Sequence, residues 1–186
     1  MKVVRNCGRF PCSLRQIDSC SCIPANIQAL TKYHLSVDIT QERIWQLFTE
    51  DYCAPRKIDN PPRDAIGLKP IAEALENNAR FPPMRFEYHG DLEFGRFEDL
   101  ALTLENGVDA NKPHIISIPV RMTDGAWNGW HMLTVLGYDP ENSPVSYLVY
   151  DSEIGACYVK SKLDITQLLL GKKGKSNTDC LVVFPK

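Results

Sequence analysis

The apolar residues of this chain change their spacing once, near Phe81, and that change limits the fold more than any other feature. Before it, Ile23, Ile27, Leu30 and Tyr33 recur every three or four residues, the period of one helix face, and similar spacing predicts helices over Gln41 to Thr49 and Leu68 to Asn78. Pro24 suits the first turn of the first helix, where the amide hydrogen it lacks would have no partner, and Thr40 stands where it can cap the second. After Phe81, MRFEYH, HIISIPV, HMLTVLGYD, SYLVYDS, ACYVKS and CLVVFPK read as strands, with RFEDLALTLEN and LDITQLLL as helices among them. Helices first and mostly antiparallel strands second make an α+β arrangement. It is expected as one domain over 1–186, with a helical lobe over about 1–80 packed on a β-sheet lobe over about 81–186 and a cleft between them.

A chain of 186 residues, 44% of them hydrophobic, buries a substantial core without staples. Its formal charge of -2 supplies no electrostatic reason to bind nucleic acid or an anionic membrane, and Lys172, Lys173 and Lys175 read as a solvated loop, as NPPRDAIG reads as a linker. The opening MKVVRNCGRFPCSLRQ has no continuous apolar segment of the signal-peptide kind, and no run is long enough to span a bilayer. The expected location is the cytoplasm, unless specialised export or effector delivery carries the chain elsewhere. Seven irregularly spaced cysteines, an odd number, predict mostly free thiols rather than a disulfide framework. Cys7, Cys12, Cys20 and Cys22 lie close in sequence, but their spacing lacks the paired C-x2-C knuckles that close around zinc. No metal and no cofactor is expected.

The stretch QIDSCSCIPAN places Cys22 at the entry to the first helix. Free amide hydrogens and the helix dipole at such an end favour the thiolate, the reactive form of cysteine. Gln16, six positions earlier, can supply a side-chain amide that joins the backbone amide of Cys22 in stabilising an oxyanion if the IDSCS loop folds back. His34 is too far along the same helix to serve as the base, more than about 15 Å at the usual rise per residue. His131, at the entry to HMLTVLGYD and beside Trp127 and Trp130, is the better base, in a setting where an aromatic wall shields an ion pair. Asp151 ends the next strand, and a hairpin through DPENSP returns it to His131, where it can set the imidazole tautomer. Asp139 lies at the far end of that hairpin, His114 has no acidic partner at matching distance, and His89 reads as a loop residue.

A Gln six residues before a helix-opening Cys, a His at a strand entry and an Asp ending the following strand resemble the papain-like cysteine proteases. CIPANIQAL, GWHMLTVLGYD and YLVYDSEIG look most like the branch of the bacteriocin-leader peptidases and their stand-alone relatives, over most of the chain from Gln16 onward. The resemblance implies a papain-like fold in which Cys22 is nucleophile, His131 general base and then acid, Asp151 its orienting group and Gln16 the oxyanion donor. The implied function is a cysteine endopeptidase acting on a peptide or protein substrate. The same four residues also suit an acyltransferase, a transglutaminase or an amidase, and a binding module of this fold without chemistry is the remaining reading. Ile23 follows the nucleophile where that branch usually has Gly. Cys20 is expected to pack passively in the loop, with reversible pairing to another thiol as the alternative.

Overall fold

The computed structural model describes residues 1–56, 67–90, 97–121, 127–141, 145–161 and 179–186. The linker at 60–66, the helix expected at 163–170 and the basic run at 172–175 lie outside the described residues, as do the side chains of Trp127 and Trp130 that were to form the aromatic wall.

The helical half forms as the periodicity requires. Helix α1 (Cys22–Leu35) turns Ile23, Ile27 and Leu30 into the core, and α2 (Gln41–Phe48) is capped by Thr40, whose side chain accepts from the Arg43 amide at 3.2 Å. Short π and 3-10 turns (Thr49–Cys53 and Ala54–Arg56) follow, then α3 (Leu68–Glu76). The second half contributes α4 (Phe97–Asp109) and most of a seven-stranded sheet.

Strands β1 (Lys2–Val3), β2 (Met84–His89), β3 (His114–Arg121), β4 (Trp127–Asp139), β5 (Ser146–Asp151), β6 (Ala156–Ser161) and β7 (Cys180–Pro185) make up that sheet. Its order is β2-β7-β3-β4-β5-β6, every pairing is antiparallel, and β1 pairs with the far end of β4. Helix α1 packs on β4 and β7, α3 on β2 and β7, and α4 on β1, β3 and β4. One continuous hydrophobic cluster joins these helices to the sheet. The chain is therefore an α+β protein with its N-terminal helices packed against an antiparallel sheet.

Two expectations of placement are corrected, whereas that of mostly free thiols holds, with Cys7, Cys20, Cys22, Cys53 and Cys180 not disulfide-bonded beside one bridge. His131 is the fifth residue of β4 rather than its first, because that strand begins at Trp127, and His89 closes β2 opposite Cys180 instead of lying in a loop. Cys12 and Cys157, 145 residues apart, form a disulfide with an S–S distance of 2.04 Å, which also removes Cys12 from any four-thiol zinc set. Two cysteines so far apart in sequence carry no spacing signal, and only the return of β6 past the N-terminal segment brings them together. Strand β1 is too short to show alternation; it docks because Gly137 has no Cβ, which would stand 2.6 Å from the Lys2 carbonyl. No helix among the described residues is long and apolar enough to cross a membrane.

Candidate active site

Cys22 opens α1 and is buried. The preceding Ser21 turns its hydroxyl to Asp18 Oδ1 at 2.7 Å, so the helix start carries no side-chain cap. The dipole end at Cys22 is left to act on whatever approaches the sulfur.

His131 comes to that sulfur from the middle of β4. Its Nε2–H donates to Asp151 Oδ1 at 2.7 Å, which leaves Nδ1 as the nitrogen for Cys22, with whose side chain the ring is also hydrogen-bonded. Both members of the His131–Asp151 pair are about nine-tenths buried. Burial is the largest influence on His131 and pushes its pKa down, but the hydrogen bonds and charges of Asp151 and Cys22 together carry it up to about 9. Burial alone would raise the Asp151 pKa; its hydrogen bond and charge interaction with His131, with help from Glu153 and Tyr158, instead hold it below the usual carboxylate value. The pair therefore rests as imidazolium and carboxylate.

Asp151 is fixed from two further directions. Oδ1 accepts the Glu153 amide at 2.9 Å and Oδ2 accepts the Tyr158 hydroxyl at 3.2 Å, so each oxygen is oriented before any proton moves. Burial and the neighbouring Asp151 charge push Tyr158 up to about 12, keeping it a donor.

Gln16 reaches the same region through Ser152. The Gln16 amide hydrogen donates to the Ser152 carbonyl at 2.9 Å, and the buried Ser152 hydroxyl donates to Gln16 Oε1 at 3.1 Å. With Oε1 held, Gln16 Nε2 has no hydrogen-bond partner among the described residues and is available to a ligand. Gln41 braces the loop on both sides of Gln16, donating to the Arg15 carbonyl at 2.8 Å and accepting from the Ile17 amide at 3.0 Å.

Asn26, one turn past Cys22, joins the helix to the strand. Fully buried, it donates to the Cys22 carbonyl at 2.7 Å and the Met132 carbonyl at 3.3 Å, and accepts from the Thr134 hydroxyl. Cys22 and the residue after His131 thus share a single polar brace.

The structure brings Cys22, His131 and Asp151 into one contact chain and ties Gln16 to the residue after Asp151. It leaves the other histidines elsewhere: His114 donates to the Lys112 carbonyl at 2.7 Å, and burial pushes its pKa down to about 4. Asp139 sits at the far end of β4 against the N-terminal ammonium, 3.7 Å away. Cys20 is not disulfide-bonded, and its sulfur lies 3.7 Å from the Ser19 hydroxyl. Sequence reasoning missed Ser152, Tyr158 and Asn26. Of these only Asn26 left a signal, a polar residue among the apolar residues of the inward stripe of α1.

Among the described residues, His131, Asp151 and Glu153 are the three side chains grouped closely enough to hold a metal ion. His131 Nε2 already gives its proton to Asp151, so ligation there would require breaking the pair. No protein-family model and no curated protein matches the chain.

Proposed function

We propose that the chain is a cysteine endopeptidase of papain-like fold, close to the leader-peptidase branch, cleaving a peptide or protein substrate. The observation that carries this reading is the buried run of contacts from Cys22 through His131 to Asp151, at the dipole end of a helix. In the proposed reaction the Cys22 sulfur attacks the scissile carbonyl, and the new C–S bond forms as the carbonyl π pair moves to oxygen. Gln16 Nε2 and the Cys22 amide donate to that oxyanion. The His131 imidazolium then gives its proton to the departing amine as the C–N bond breaks, leaving a thioester on Cys22. Water, losing its proton to His131, hydrolyses the thioester and releases the acid. Asp151 keeps the ring in the orientation that presents Nδ1 to each reactant.

The cytoplasmic location expected from the sequence requires the Cys12–Cys157 bridge to persist in a reducing compartment, where structural disulfides are rare.

Iodoacetamide labelling near neutral pH tests the reading, followed by mapping of the modified sites and a peptide-library cleavage screen against Cys22→Ala. Cys22 is expected to label faster than its more exposed neighbour Cys20, and cleavage is expected only with the wild-type chain. Equal labelling of the two thiols together with cleavage that survives Cys22→Ala removes the proposal.

A further inference from the structure

At the other end of α1, about 18 Å from Cys22 at the usual helical rise, three segments enclose a cavity of about 430 Å³. Residues 5–9 form one wall, the last turn of α1 another, and Asn111, just past α4, the third. Arg5, Arg9 and Lys32 line it and, among the described residues, no carboxylate does, on a chain whose formal charge is -2. Lys32 is already paired with Asp38 at 2.6 Å. The guanidiniums of Arg5 and Arg9 have no hydrogen bond or ion pair among the described residues, so two cations face the cavity unspent.

The frame of the cavity is built to hold its shape. Asn111 Oδ1 accepts from the Arg5 amide at 2.7 Å, and the Tyr33 hydroxyl donates to the Arg5 carbonyl while lying 3.2 Å from Asn111 Oδ1, so the three walls are tied together. Asn6, Ser36 and Asn111 are the described non-glycine residues with left-handed φ, at 55°, 57° and 60°, and all three line this one cavity. Ser36 and Asn111 also end helices and asparagine tolerates this region, which accounts for each singly but not for their convergence. His34 lines the cavity without adding charge, because burial pushes its ring down to about 4 against the opposing influence of the Val183 backbone.

We propose that this cavity binds a small phosphorylated molecule, with its phosphate on the Arg5 and Arg9 guanidiniums and its polar remainder toward Asn6. Guanidinium forks match phosphate oxygens two at a time, which lysine does not. The volume falls within the range of about 300–1,000 Å³ usual for small-molecule sites, so the phosphate has room for an organic group beside it. The carbonyl end of α1 carries partial negative charge, which directs the anion to the arginine wall rather than to the helix. None of this depends on chemistry at Cys22.

Isothermal titration of the whole chain with pyrophosphate and with ribose 5-phosphate, at constant ionic strength, tests the site. Saturable one-to-one binding is expected. It should weaken about tenfold or more in Arg5→Ala/Arg9→Ala and less in Arg5→Lys/Arg9→Lys, and stay unchanged in Arg85→Ala, which alters an exposed arginine outside the cavity. Tighter binding of ribose 5-phosphate than of inorganic phosphate supports an organic ligand. The proposal is overturned if neither phosphate binds saturably, if Arg85→Ala weakens binding as much as the double variant, or if succinate binds as tightly as pyrophosphate. Both cavity arginines are exposed, so an unchanged thermal midpoint is expected in each variant. Should the alanine pair fail to fold, undiminished binding by the lysine pair overturns the proposal equally.

Discussion

Asp151 shares a face of the sheet with His131 because the pairing of β4 and β5 shifts by one residue between them. The hairpin pairs Asp139 with Ser146 and Gly137 with Leu148, then resumes as Val135 with Val149 and Leu133 with Asp151. An unshifted register would set Asp151 opposite Thr134 and turn its side chain to the other face. The extra residue, Leu136, is buried, and its carbonyl accepts the Val4 amide at 2.8 Å, so the segment after β1 anchors the bulge that assembles the pair.

The stability of the fold should depend on pH through this pair. The His131 pKa is raised from 6.5 to about 9, so its contribution is complete below 6.5 and is lost as pH rises through about 9; that of Asp151, lowered from 3.8, is present above 3.8 and is lost in stronger acid. Urea unfolding should show a loss on the order of 1–3 kcal/mol between pH 6.5 and pH 9.5. Asp151→Asn should flatten that slope, and an equally steep decline in the variant would show that the pair is not its source.

Gln16→Ala should lower kcat for peptide cleavage by about 10²–10³ with little change in KM, because an oxyanion donor acts on charge that develops only in the transition state. Ser152→Ala, which frees Gln16 Oε1 without removing the amide, should show a smaller loss in the same parameter. Steady-state kinetics on a substrate from the cleavage screen distinguishes the two. A Ser152→Ala effect confined to KM would contradict the orienting role.

Asn26→Ala should destabilise the fold by about 1–3 kcal/mol, since it strands the buried Thr134 hydroxyl and removes the side-chain bonds to the Cys22 and Met132 carbonyls. Loss of the brace between α1 and β4 should also slow iodoacetamide labelling of Cys22. Thermal unfolding and labelling rates measured on one preparation test both effects.

The Cys12–Cys157 bridge closes a loop of most of the chain and holds the segment leading to Gln16 against β6. Cys12→Ser/Cys157→Ser should cost about 2–4 kcal/mol of stability against the oxidised wild type, chiefly by freeing the unfolded chain. Denaturant melts with and without reductant should move the wild type toward the variant and leave the variant where it is.

Gly137→Val should detach β1, because the new Cβ would meet the Lys2 carbonyl at 2.6 Å. Hydrogen exchange should then rise at Val4, whose bond anchors the bulge, ahead of the strand centres. Protection at Val4 equal to wild type would show that the bulge holds without β1.

The helices and most strands were legible because burial imposes a period on local sequence: Ile23, Ile27 and Leu30 could only be one helix face, and HMLTVLGYD could only be buried extended chain. That Cys22, His131 and Asp151 come together was expected from their residue types and order along the chain, although His131 stands inside β4 rather than at its entry. Ser152 and Tyr158 were not, since a serine and a tyrosine acquire their roles only from the atoms they face.

The sequence by itself determined the alternation of helix and strand, the helix end that receives Cys22, and the pair of strands joining His131 to Asp151, because these follow from periodicity and turn chemistry over a few residues. Only the tertiary structure decided the register shift at Leu136, the docking of β1 through Gly137, the bond between Cys12 and Cys157 and the cavity between Arg5 and Asn111. Each depends on which distant segments pack together, and long-range packing leaves no periodic trace in the residues it joins.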